Sequence, residues 1–64
     1  MLKVHKLMKD MKVGETMEIV RNNKVIHITR LDVRGHFIVL KEDGTMTLPV
    51  YSHIIRHWLI TNQI

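Results

Sequence analysis

The chain contains no cysteine, which excludes disulfide bridges, thiolate nucleophiles and cysteine-ligated zinc. Its single proline is Pro49, and its three glycines, Gly14, Gly35 and Gly44, are too dispersed to form a linker or a phosphate-cradling loop. Ser52 is the only serine, and no glycine-flanked elbow presents it as a nucleophile. Aromatic rings are scarce: Phe37, Tyr51 and Trp58. Long apolar runs are missing too. The longest extend from Phe37 to Leu40 and from Leu48 to Tyr51, whereas a spanning helix needs about 20 apolar residues and a signal-peptide core about 7–15. The chain therefore reads as cytoplasmic, with no membrane partner.

What remains is a small, aliphatic, basic protein. Ten Lys and Arg stand against six Asp and Glu among 64 residues, a formal charge of +4. Apolar residues make up 45% of the chain, a folded composition. A chain this short buries only about 60% of the surface it exposes when unfolded, so burial against a partner would help it. Of the acidic residues, Glu15, Glu18, Asp32, Glu42 and Asp43 are scattered, and no general acid–base pair suggests itself. We read the chain as a non-enzyme without a cofactor.

The expected fold class is α+β in a single domain over residues 1–64: an N-terminal helix, a four-stranded antiparallel β-meander, and a C-terminal amphipathic helix packed on one sheet face. Val4, Leu7, Met8 and Met11 recur at helical spacing, which predicts a helix over residues 2–12 that stops at Gly14. Asn22-Asn23 lies between two β-branched runs, and asparagine tolerates the positive φ of a two-residue hairpin turn. Centring the turn there pairs Arg21 with Lys24, Val20 with Val25, Ile19 with Ile26, Glu18 with His27, Met17 with Ile28 and Thr16 with Thr29.

Two further reversals fit loops that end in glycine, Val33-Arg34-Gly35 and Glu42-Asp43-Gly44. They predict Ile28 opposite Leu40, Leu40 opposite Met46, and Ile38 opposite Leu48. One face then carries Met17, Ile19, Ile26, Ile28, Ile38, Leu40, Met46 and Leu48. Pro49 should stop the fourth strand. A helix over 50–61 should follow, with Trp58 as its largest apolar contribution and Ser52 or the turn before Pro49 as its cap.

The second sheet face is expected to carry Val20, Val25, Leu31, Phe37 and Val39 among threonines, His27 and Glu18. That is too apolar for a solvated surface. It defines the leading functional expectation: a small non-enzymatic binding or regulatory module that acts through this protein interface, in the form of a homodimer that also engages an unidentified macromolecule. The alternative is a basic nucleic-acid-binding protein. Lys3, Lys6, Lys9 and Lys12 on the first helix, with Arg21, Lys24 and Arg34 at the turns, would then neutralise phosphates. His53 and His57 are four residues apart on the second helix, a spacing that two imidazoles on one metal could use. No third ligand accompanies them, so they are weak candidates and no metal is expected.

Overall fold

The computed structural model describes residues 4–64. A short helix α1 (Val4–Lys9) leads into a four-stranded sheet, β1 (Thr16–Arg21), β2 (Lys24–Arg30), β3 (His36–Leu40) and β4 (Val50–Tyr51). Helix α2 (Ser52–Ile60) closes the chain. The strands lie in the order β1-β2-β3-β4 and every neighbouring pair is antiparallel, which makes the sheet an open meander. The helix expected over 2–12 begins on residues outside those described. Its described part ends at Lys9, and Met11 lies beyond it.

The first hairpin has the expected register throughout, from Thr16 opposite Thr29 to Arg21 opposite Lys24. Asn22 and Asn23 both take positive φ, 52° and 62°, as a type I′ turn requires. The Thr16 and Thr29 hydroxyls lie 2.8 Å apart, and His27 Nε2 is 3.3 Å from Glu18 Oε2.

The next pairing is shifted by one residue from the expectation. Ile28 faces Val39 rather than Leu40, and Arg30 faces Phe37. The cause is Asp32. Its carboxylate accepts the backbone N–H groups of Gly35 at 3.0 Å and His36 at 3.1 Å, which draws Asp32 into the loop. Leu31 becomes the last residue to meet β3, donating its N–H to the His36 carbonyl at 2.8 Å. A one-residue slip exchanges the faces of a strand. Phe37 and Val39 are therefore buried with Ile26 and Ile28, while Ile38 and Leu40 turn to the opposite face and are half-buried.

The third reversal is the glycine-closed loop expected, with Leu40 opposite Met46 and the Lys41 N–H on the Thr45 carbonyl at 2.8 Å. Gly44 closes it at φ 89°. Beyond it the fourth strand departs from the expectation. A step of three residues from Phe37 to Leu40 is matched by a step of four from Val50 back to Met46, so the returning chain carries a bulge. Thr47 makes the crossing: its hydroxyl accepts the Val39 N–H at 3.0 Å and its own N–H reaches the Val39 carbonyl at 2.9 Å. Leu48 is left 83% exposed and Met46 59% exposed, so neither joins the core. Pro49, which has no N–H for a ladder, sits in the bulge, and β4 follows it instead of ending there.

One sheet face is covered by α2 together with Met8 and Met11. The core is Met8, Met11, Ile26, Ile28, Phe37, Val39, Ile55 and Leu59, with Met17, Ile19, Val50, Trp58 and Ile64 packed around it. Helix α2 turns its Ile55–Leu59 row inward and holds Trp58 at the margin. Its C-terminus is closed by Asn62 at φ 58°, with the Asn62 N–H on the Leu59 carbonyl and the Gln63 N–H on the Trp58 carbonyl. These paired bonds form a Schellman arrangement with asparagine in place of glycine.

Candidate functional site

Two surfaces stand out, and both follow from the backbone geometry. The first is the sheet face away from the helices. The slipped register sends Ile38 and Leu40 there, where they join Val25 as half-buried side chains. Val20 (66% exposed), Leu31 and Met46 extend the apolar area. Of the five residues expected on this face, Val20, Val25 and Leu31 lie on it. Phe37 and Val39 do not: they are sealed beneath the helices, because Asp32 belongs to the loop and not to the strand. Thr16, Thr29, Glu18 and His27 supply the polar part of the same face.

The second surface is a concavity of about 390 Å³ where the end of α1, the β2–β3 loop and the start of α2 meet. Among the described residues Lys9, Arg30, Arg34, Tyr51 and His53 line it, and no carboxylate does. Arg30 organises this corner. Its Nη1 donates to the Met11 carbonyl at 2.7 Å, its Nε to Asp32 O at 3.0 Å and its Nη2 to Val33 O at 3.2 Å. The guanidinium also lies 5.8 Å from the Phe37 ring centre. One side chain thus ties the chain after α1 to the β2–β3 loop.

Beside Arg30 runs a ladder of rings. His36 and Tyr51, cross-strand partners, stack with centroids 4.5 Å apart; Tyr51 and His53 stack at 5.9 Å with an 11° interplanar angle. His36 is oriented from its other side by Asp32, whose Oδ2 is 2.7 Å from Nδ1, so that nitrogen carries the proton. The His36 backbone N–H is the main cause that holds the Asp32 carboxyl below its ordinary pKa, with the His36 ring and the Gly35 N–H adding to it; partial loss of solvent pulls the other way. The ladder depends on the bulge that brings Tyr51 opposite His36. No local periodicity announces such a pairing.

Among the described residues the expected cations fall into two groups. Lys3 and the side chain of Lys6 lie outside the described residues. Lys9 and Arg34 share the concavity at the start of α2, and Lys12 is exposed on the chain after α1. Arg21 and Lys24 belong to the β1–β2 hairpin, whose tip reaches the far end of that helix through Asn22 Nδ2 and Asn62 Oδ1 at 3.2 Å. The length of α2, roughly 13 Å for its nine residues, separates the two groups. A second concavity of about 380 Å³ near Lys24 and Lys41 mixes those lysines with Glu42 and Asp43. His53 and His57 are both exposed, and among the described residues no three His, Asp or Glu side chains come together as a metal would need. No helix among the described residues is long and apolar enough to cross a membrane. No known protein family, characterised protein or solved structure matches this chain.

Proposed function

We propose that this chain is a small non-enzymatic binding module whose working surface is the open sheet face, and that a second copy of the chain covers that face. The observation that carries this reading is the uneven treatment of the sheet. One side is sealed by α2 together with Met8 and Met11, while the other leaves Val20, Val25, Leu31, Ile38, Leu40 and Met46 without a covering layer among the described residues. A sheet this apolar on both sides gains by burial against another layer. A two-fold pairing of the face would bring its aliphatic side chains against a second set, while the Glu18–His27 and Thr16–Thr29 pairs, which lie among them, satisfy their polar groups on one another.

Sedimentation over a concentration series tests the reading. The wild type should associate, and Leu40→Glu should give a monomer with an unchanged circular dichroism spectrum. A wild type that stays monomeric at every concentration overturns it. The second reading, phosphate binding, is favoured by one observation: Lys9 and Arg34 share with exposed rings a concavity whose lining, among the described residues, includes no carboxylate.

A further inference from the structure

We infer that the concavity at the start of α2 is a binding site for a nucleotide unit: Lys9 and Arg34 take the phosphate, and the base stacks on the exposed ring of His53 to extend the His36–Tyr51–His53 ladder. This goes beyond the open-face reading and does not depend on what covers that face. Three features of the corner lead to it. First, its cations differ in their state. Arg30 is committed to backbone carbonyls of the α1–β1 connection and the β2–β3 loop. The Lys9 ammonium and the Arg34 guanidinium have no partner among the described residues, and both are exposed. Second, Asp32, the carboxylate of the β2–β3 loop, is turned to the N–H groups of Gly35 and His36 and to the His36 ring, so it does not compete for those cations. The first turn of α2 also carries no acidic residue.

Third, the rings select the ligand class. A bare anion would need only the cations. Here a continuous stack ends on His53, an exposed imidazole at the edge of the cavity. A π-face beside two unpaired cations matches a base beside its phosphate. A duplex hides its base faces, so the unit is supplied either by a single strand or by a free nucleotide; the chemistry is the same and the experiment separates the sources.

The probe is a fluorescein-labelled oligothymidylate of about eight nucleotides, within the ~4–16 that one small domain covers, followed by anisotropy, with thymidine monophosphate and inorganic phosphate as competitors. Saturable binding is expected to weaken about tenfold in His53→Ala, a typical loss for one stacked base. Arg34→Gln should also weaken it and lower the salt slope by about 0.7, the value for one phosphate contact on a single strand. Lys24→Gln, in the other basic group, should change affinity by less than about twofold. Circular dichroism shows whether each variant is folded, and Lys9→Gln replaces Arg34→Gln if the loop variant is not. Displacement by the monophosphate at concentrations comparable to the oligomer assigns the site to a free nucleotide; displacement only by unlabelled oligomer assigns it to a strand. Absence of saturable binding overturns the inference. So does equal loss in Lys24→Gln, which would mean diffuse charge attraction, or binding that is indifferent to His53→Ala, which would mean an anion site with no role for the rings.

Discussion

The Asp32 carboxylate holds His36 at two points, accepting its backbone N–H at 3.1 Å and its ring Nδ1 at 2.7 Å. This contact sets the length of the β2–β3 loop. It thereby determines which residues of β3 face the helices, and it fixes the ring on which Tyr51 stacks. The carboxylate is the acceptor in every bond, so the contact is sensitive to acid. Asp32 has its pKa lowered from the ordinary 3.8, chiefly by the His36 N–H. A group depressed in the folded state contributes stability that is fully present above its unfolded value and lost as pH falls through the folded value. Stability of the wild type should therefore decline as pH drops below about 4, with Asp32 as one source. In Asp32→Asn the acid limb should be shallower and the neutral-pH stability lower. Chemical denaturation at stepped pH checks this, and parallel curves for the two proteins would refute it.

The inner row of α2 is Ile55 and Leu59, both fully buried, while Trp58 is only partly covered. Leu59→Ala should cost about 2–5 kcal/mol, the range for emptying a packed aliphatic site. Trp58→Ala should cost less than Leu59→Ala despite the larger side chain, because part of the indole already meets solvent. Urea midpoints of the two variants decide the order. The reverse order would show that the indole anchors the helix.

The same comparison across β3 tests the register. Phe37→Ala removes a ring that is 2% exposed and should cost about 3–5 kcal/mol, whereas Ile38→Ala, on the half-buried face, should cost clearly less. Equal losses would contradict the pairing of Phe37 with Arg30 and Val50.

These residues also mark where the sequence was legible. The Asn22-Asn23 turn and the Gly44-closed loop are local devices: the residue that needs positive φ announces the turn, and the pairings on both sides follow. The first hairpin and the Leu40–Met46 crossing were therefore readable. The β2–β3 loop is not legible in this way, because Gly35 suits a three-residue loop equally well, and only the carboxylate of Asp32, bonded forward to Gly35 and His36, lengthens it. From there the slip carried Phe37, Ile38, Val39 and Leu40 to faces opposite to those expected, and hydrophobicity alone could not object, since all four are apolar. The bulge at Thr47–Pro49 had no local signature beyond Pro49 itself. The ring ladder inherited that obscurity, because it exists only when Tyr51 lies opposite His36.

Arg30 gives a prediction of a different kind, since its value lies in geometry more than in charge. Its fork reaches carbonyls of both the chain after α1 and the β2–β3 loop. Lysine keeps the charge but cannot span those acceptors. Arg30→Lys should lose about 1.5–3 kcal/mol, the scale of hydrogen bonds to a charged group. Amide exchange in residues 9–14 should quicken more than exchange in β1, as measured by hydrogen-exchange mass spectrometry. Uniform quickening throughout the chain would mean that Arg30 supports the core generally and does not act as a clamp.

Asn22 and Asn62 both hold a left-handed backbone, and their side chains meet at 3.2 Å. The contact joins the β1–β2 tip to the end of α2, yet it is exposed, so the side-chain bond should contribute little beside the backbone requirement. The two terms are separable at Asn62. Glycine adopts φ near 58° without a Cβ penalty, while alanine there costs about 1–2 kcal/mol. Asn62→Gly should therefore lie close to wild type in thermal unfolding, having lost only the bond to Asn22, and Asn62→Ala should be clearly less stable. If both variants fall equally, the contact between the two asparagines is what holds the tip to the helix. In that case Asn22→Gly, which keeps the turn, should show the same loss.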